Sequence, residues 1–318
     1  MKEKPEVTVL IATYNANEKD IIRSLNSVLY QKDVILQVVI TDDGSKVFPK
    51  ERILKAFEKQ HFSNFTMIEN PDNRGTVANF LSGAMCCDSE YIKVLGQGDL
   101  LIDEFVLRDL VEYAQKKDSD LIASKAVYFR CINDKYEVIC ADAMPQFVSM
   151  YSSKVWQKRC SVLYEDDAHG ATLFYRKNVF VHYLREFEGK IKFIEDKIQK
   201  LMILDNCRVD FLDRDTVFYE STVGISNNPS RVTALLNDKT ELNEIIIGHI
   251  KNRSFKKEFY EFQTIKERLS LKYTRFDSIR WTFSVRGFLF YRIRKQWFPK
   301  KTSKNVNKHY LDLCWDID

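Results

Sequence analysis

A chain of 318 residues with 45% hydrophobic and 13% aromatic residues can bury one large core, or a core with a smaller appendage, and does not have the composition of a disordered protein. No apolar run approaches the roughly 20 residues of a membrane-crossing helix, and Met1-Lys2-Glu3-Lys4-Pro5 lacks the apolar stretch and cleavage site of a secretory signal, so the sequence reads as cytoplasmic with at most peripheral membrane contact. The formal charge of +4 hides an asymmetry: from Lys251 onward there are 17 Lys or Arg against 7 Asp or Glu, so everything before is acidic and the basic charge sits at the carboxyl end.

In chain order, Glu6 to Ala12 reads as a strand and Glu18 to Leu29 as a helix, with Ile21, Ile22, Leu25, Val28 and Leu29 at helical spacing and Asn17 as N-cap. Leu36 to Ile40, Glu51 to Phe57 and Phe65 to Ile68 continue as strand, helix and strand. This β-α-β-α-β alternation predicts an α/β fold, a mostly parallel sheet flanked by helices with right-handed crossovers. Asn73-Arg74-Gly75 opens a helix to about Cys86, Tyr91 to Leu95 is a strand, Asp103 caps a helix ending near Lys117, and Leu121 to Phe129 is a strand with Tyr136 to Ile139 as its hairpin arm. Residues 144–169 suit a loop region with one short helix, Ile191 to Leu204 a helix, Val209 to Tyr219 extended chain, and the pattern beyond Asn237 is helical.

The run Asp42-Asp43-Gly44-Ser45 follows the apolar Val38-Val39-Ile40. A buried strand ending so puts acceptor groups at the carboxyl edge of the sheet, where open α/β folds keep their ligands, although the same four residues also suit an ordinary Asx turn. No G-x-G-x-x-G follows the first strand, which disfavours a dinucleotide-binding dehydrogenase. Seven cysteines, among them adjacent Cys86-Cys87, show no repeated C-x-x-C spacing and read as reduced and structural. His169 and His182 stand alone, without metal-ligand spacing.

Thr13-Tyr14-Asn15, the run from Ser24 to Gln31, Asp42-Asp43-Gly44-Ser45, Asn73-Arg74-Gly75 and Glu195-Asp196 occur in a fixed order over roughly residues 6–226. Together they resemble the family 2 glycosyltransferases, inverting enzymes with the GT-A nucleotide-sugar (Rossmann-like) fold, of the type that builds bacterial capsule, O-antigen or exopolysaccharide. The resemblance implies a catalytic domain over 1–236, with a nucleotide-binding half (1–117) and an acceptor-binding half (118–236), followed by a helical basic extension (237–318). It assigns Thr13, Tyr14, Asn15, Asp42, Asp43, Arg74, Gly75 and Gly98 to a nucleoside diphosphate sugar, by the resemblance a UDP-sugar: a carboxylate accepts from the imide N–H of a uracil-type base, an aromatic ring offers a stacking face, and a guanidinium suits a diphosphate. Asp196 is assigned as the base that removes the acceptor hydroxyl proton, with Glu195 in support.

Gly96-Gln97-Gly98-Asp99 stands where the family carries Asp-x-Asp, the acidic motif that holds Mg²⁺ or Mn²⁺; both Asp positions are glycine here, leaving Asp99 as metal ligand. Such ions keep several waters and complete their shell with phosphate oxygens, so one carboxylate can serve, and glycine lets backbone amides approach a diphosphate closely. Gly170 to Arg176 resembles the segment that lines donor and acceptor sugars, Val223-Gly224-Ile225-Ser226 a short motif of surface-polysaccharide relatives, and Arg231 follows as a second cation for the diphosphate. From Trp281 to Phe298, aromatic and apolar residues alternate with arginine and lysine, which suits either a helix lying in a membrane interface beside a lipid-linked saccharide acceptor or one packed on the catalytic domain. No nucleic-acid recognition motif accompanies the charge. The missing acidic pair leaves a second reading open, a non-catalytic nucleotide-sugar-binding or scaffolding subunit of a polysaccharide assembly complex.

Overall fold

The computed structural model describes residues 3–222, 231–271 and 287–317; the motif Val223 to Ser226 and the first part of the aromatic-basic segment, Trp281 to Arg286, lie outside them. Strand β1 (Val7–Thr13) runs between β2 (Leu36–Asp42) and β4 (Tyr91–Gly96), with β3 (Phe65–Glu69) beyond β2, all four parallel. Helices α1 (Glu18–Leu29), α2 (Lys50–Lys59) and α3 (Thr76–Met85) are the crossovers. Asn17 caps α1 as expected, its side chain accepting from the Lys19 N–H at 2.9 Å. Past β4 the sheet becomes mixed. The short β8 (Phe174–Arg176) pairs antiparallel with β4 and with β6 (Leu121–Ile132); β6 carries the hairpin arm β7 (Lys135–Ile139) and runs parallel to β9 (Val209–Glu220), which pairs with β5 (Leu100–Leu101).

Alternation along the strands fills a core on each face of the sheet. Val7, Val9 and Ile11 face α1, α2 and α4 (Val106–Lys117), whereas Leu10 faces α3, α6 (Lys177–Phe187) and α7 (Ile198–Leu204). The chain from 144 to 169 contains α5 (Lys154–Lys158) continued by a π-turn. Asp103 accepts from Phe105 N–H at 2.9 Å and pairs with Arg214 at 2.7 Å, so it fixes the turn before α4 rather than capping the helix itself.

The helix expected from Ile191 to Leu204 is not continuous. Glu195–Lys197 form a single 3₁₀ turn and α7 begins only at Ile198. The preceding backbone is tied elsewhere: the Lys192 carbonyl, which a helix from Ile191 would offer to the Asp196 N–H, accepts instead from Val77 N–H at 3.1 Å, while the N–H groups of Lys192 and Phe193 bond the Asp238 carboxylate at 2.9 and 2.7 Å. Groups engaged elsewhere cannot serve a helical ladder. Asp238 belongs to α8 (Val232–His249), which starts five residues before the helical pattern read from the sequence. After α9 (Arg253–Leu271), α10 (Phe288–Trp297) packs through Phe288 and Tyr291, and α11 (Lys308–Trp315) returns to α1, where Tyr310 O–H donates to the Ser27 carbonyl at 2.5 Å. All seven cysteines are free. Among the described residues no helix is long and apolar enough to cross a membrane.

Gly83 lets α3 lie directly on β1: a Cβ there would stand 2.3 Å from Leu10 Cδ1 and 3.1 Å from Thr41 Cγ2. Alanine favours a helix interior by about 1 kcal/mol, yet overpacking a filled core costs about 1–3 kcal/mol. Gly83→Ala is therefore expected to lower stability by about 1 kcal/mol in urea titration; a higher midpoint would contradict this close packing.

Candidate functional site

The floor of the site is the carboxyl edge of β1 and β2. Asp42, 2% exposed, accepts Thr13 O–H at 2.8 Å, Ser45 O–H at 2.6 Å and Ser45 N–H at 2.7 Å. Three donors hold the carboxylate rigid and leave about one of its four acceptor positions for a further donor. Asp43 turns the other way and accepts the N–H groups of Arg74 and Gly75, both at 2.8 Å. Burial raises its carboxyl above the usual range, against the pull of those two N–H groups and of nearby Lys192. Gly44 has φ +72°, and a Cβ on it would stand 2.6 Å from the Asp72 carbonyl carbon; only glycine fits. Beneath them Asn79, which the sequence analysis did not single out, takes Thr41 O–H at 2.7 Å and donates to the Thr41 carbonyl at 3.1 Å.

Asn15 bridges the two strand ends, its N–H on Ser45 Oγ at 2.7 Å and its Oδ1 accepting Lys46 N–H at 3.1 Å. Tyr14 N–H donates to Gln97 Oε1 at 3.0 Å. The Arg231 guanidinium carbon lies 5.6 Å from the Tyr14 ring centroid and 4.9 Å from that of Phe193, a cation held between two aromatic faces. Arg74 is about half exposed and points to Glu188, 3.5 Å away.

Asp99 is buried where β5 meets β9, and its Oδ1 accepts Glu220 N–H at 3.2 Å. Burial pushes its carboxyl up to about 8. The charge that faces it is Lys93, fully buried in β4, whose ammonium donates to the carbonyls of Ala171 and Leu173 and whose pKa burial lowers to about 7. Gly98 has φ +90°, and the position its Cβ would take is 3.9 Å from the Cβ atoms of both Asp20 and Glu220. Glu220 Oε1 accepts from Thr222, while Oε2 is buried without a partner among the described residues. Among the described residues no group of three potential metal ligands gathers. The donor set fits Mg²⁺ or Mn²⁺ only as a cation that a bound diphosphate and water complete, with Asp99 supplying one carboxylate.

Two routes through the structure bring Glu195 and Asp196 to this edge. The first runs from Asp43 to the Arg74–Gly75 turn and on to Lys192: a Cβ on Gly75 would lie 2.2 Å from Lys192 Cγ. The second runs from Asp99 past Lys93 to Ala171, and a Cβ on neighbouring Gly170 would be 3.0 Å from that of Asp196. The small residue at 170, in the segment expected to line the sugars, makes room for Asp196. Lys197 bonds the Asp196 carboxylate at 2.9 Å and is anchored by buried Asp167 at 3.4 Å. Glu195, flanking it, is pushed up to about 8 by burial and by the Asp196 charge. Gln199 donates to the Asp196 carbonyl at 2.9 Å and clasps Ala168.

Between Asp99 and Asp196 stand three rings, His169 with Tyr219 at 3.9 Å and Tyr128 at 5.8 Å between centroids. Burial lowers His169 to about 4, and its Nδ1 accepts Ala171 N–H at 3.3 Å, so the neutral ring carries its hydrogen on Nε2. His182 is exposed on α6. Sequence spacing gave no signal for the His169–Tyr128–Tyr219 group, and Lys93 was not singled out either, although a lysine inside the apolar strand Tyr91 to Leu95 is a signal that could have found it.

A parallel half whose strand ends carry paired carboxylates, joined to a mixed half that returns an acidic turn to the same edge, defines the GT-A class. Residues 8–180 match the sequence profile described as Glycosyl transferase family 2, and the chain belongs to that family. It is 28% identical over 129 residues to the uncharacterized glycosyltransferase MJ1057 of Methanocaldococcus jannaschii, covering 40% of this chain and 43% of that protein, so it matches less than half the length of that relative. Residues 1–349 of TarS from S. aureus superpose with a TM-score of 0.59 at 18% identity, over 88% of this chain and 78% of that one. The same protein in complex with UDP-GlcNAc superposes at 0.58 with 16% identity, over 89% and 80%. At these identities the likeness establishes the fold.

Because desolvation lowers the His169 pKa, its neutral ring contributes stability above the ordinary histidine value of about 6.5 that is lost as pH falls towards about 4. In ¹⁵N-resolved NMR titration the His169 ring is expected to remain neutral at pH 5.5; titration near pH 6.5 would contradict its burial.

Proposed function

We propose that this chain is an inverting glycosyltransferase that moves a sugar from a nucleoside diphosphate, a UDP-sugar, to a hydroxyl of a growing saccharide in bacterial capsule, O-antigen or exopolysaccharide synthesis. The observation that carries the reading is the double bridge, through Lys192 to the Arg74–Gly75 turn that Asp43 holds and through Gly170 to the segment that Lys93 bonds, which ties the turn bearing Asp196 to both halves of the sheet. Membership of glycosyl transferase family 2 supports it, and the likeness to a protein crystallised with UDP-GlcNAc supports the choice of donor.

In this reading the free acceptor position of Asp42 takes the imide N–H of the base, Tyr14 offers its ring, and Asn15, Gly75 and Gly98 let backbone approach the diphosphate. Arg74 swings from Glu188, and Arg231 from between its rings, to meet phosphate oxygens. Asp196 removes the acceptor hydroxyl proton as that oxygen bonds the anomeric carbon, and the bond to the leaving diphosphate breaks on the opposite face. Lys197 and Glu195 hold the base in position. Mg²⁺ or Mn²⁺ at Asp99 would stabilise charge gathering on the diphosphate. The acceptor is lipid-linked and met at the inner membrane face.

The second reading, a non-catalytic scaffold, is favoured by Gly96 and Gly98 in place of the acidic pair. Donor turnover separates the two. Incubation with UDP-sugars and Mn²⁺ is expected to give slow donor hydrolysis, and none at all would favour the scaffold. Asp196→Asn is expected to lower transfer on the order of 10²- to 10⁴-fold while UDP affinity, read by calorimetry, stays within about twofold. Unchanged transfer would remove Asp196 from the role.

A further inference from the structure

Helix α10 has two apolar faces, and the fold uses one. Phe288 and Tyr291, 4% and 5% exposed, seat the helix: the Tyr291 ring lies 5.1 Å from that of Phe147 and 4.9 Å from that of Tyr164. On the other side Phe290, Ile293 and Trp297 recur at helical spacing and continue into Phe298, with exposures of 51%, 42%, 73% and 73%. Apolar side chains of this size in one exposed row mark a surface that meets something.

The charge of the segment that carries the row selects the partner. Between 292 and 311 the chain holds seven Lys or Arg and no Asp or Glu. Lys301 is paired with Asp142, and Arg294 lies 4.9 Å over the Phe147 ring; Lys304 and Lys308 are exposed. A second copy of this chain would bring the same positive charge to the contact and be repelled. Trp and Phe beside lysine and arginine suit the boundary of a bilayer, the rings among the acyl chains nearest the headgroups and the cations on anionic phosphates.

We propose that the outer face of α10, with Trp297 and Phe298 at its tip, docks the protein on an anionic lipid bilayer. This names the partner surface of the function proposed above and rests on that reading only for what the bilayer presents. The docked residues lie on a helix anchored to the π-turn region through Tyr164, so the contact fixes the orientation of the acceptor half towards the lipid.

Co-sedimentation of the full chain with vesicles tests it. Binding is expected to mixed phosphatidylglycerol and phosphatidylcholine vesicles, to fall about tenfold or more on phosphatidylcholine alone, and to weaken as salt rises. Trp297→Ser with Phe298→Ser, two side chains outside the core, is expected to lose about tenfold or more in partitioning with UDP affinity in solution unchanged. No binding, equal binding to both vesicles, or unchanged binding of the double variant would overturn the proposal, and so would a vesicle-free dimer that the double variant dissociates. Each of these outcomes leaves UDP binding and donor hydrolysis to be judged separately.

Discussion

Two adjacent carboxylates facing opposite ways hold the site together. Asp42 binds back onto β1 and its own turn through Thr13 and Ser45, and Asp43 reaches forward to the backbone of Arg74 and Gly75. Hydrogen bonds to a charged acceptor are roughly twice as strong as neutral ones, and here they tie three separate loops to one strand end. The Lys192 segment rests on the turn that Asp43 holds, and the acidic turn 195–197 follows from Lys192. Loss of the Asp43 carboxylate would therefore act on Asp196 without touching it.

Charge is buried in a graded way around that edge. Lys93 and Asp99 lie inside the fold, the ammonium lowered to about 7 and the carboxyl raised to about 8 by the same lack of water. Lys197, by contrast, is flanked by Asp196 and Asp167, which hold its pKa above the ordinary lysine value. The acidic motif thinned to Asp99 thus sits in an environment that already contains a cation, and the glycines at 96 and 98 leave open backbone where side chains would stand. In the proposed reading, lysine and arginine at this edge would add their positive charge to that of any bound metal.

The first half of the fold was legible because each element carries a strong period: Ile21, Ile22, Leu25 and Val28 for α1, and the unbroken Val38-Val39-Ile40 for a strand covered on both faces. Asp42 and Asp43 at the edge follow closely, since the apolar run ends at Ile40 and β2 continues only as far as Asp42. The second half was harder. Phe174 to Arg176 is too short to give a strand signal, yet its insertion between β4 and β6 brings Gly170 and Ala171 alongside Lys93. Ile191, Ile194, Ile198 and Leu201 have helical spacing, and the late start of the helix goes with a distant contact, the Lys192 carbonyl accepting from Val77 N–H. Contacts across such separations leave no periodic trace.

The seating of α11 on α1 bears on how the molecule is completed. Asn26 bonds the Cys314 carbonyl across 288 positions, and Tyr310 bonds Ser27 across 283. As the polypeptide emerges from the ribosome, α1 is made well before α11 and keeps an open groove until the chain reaches Tyr310. Closing a loop of this length is entropically slow, so a vectorially synthesised chain passes through a state in which the early strands are paired and their outer helix is still uncovered, a natural client for a holdase.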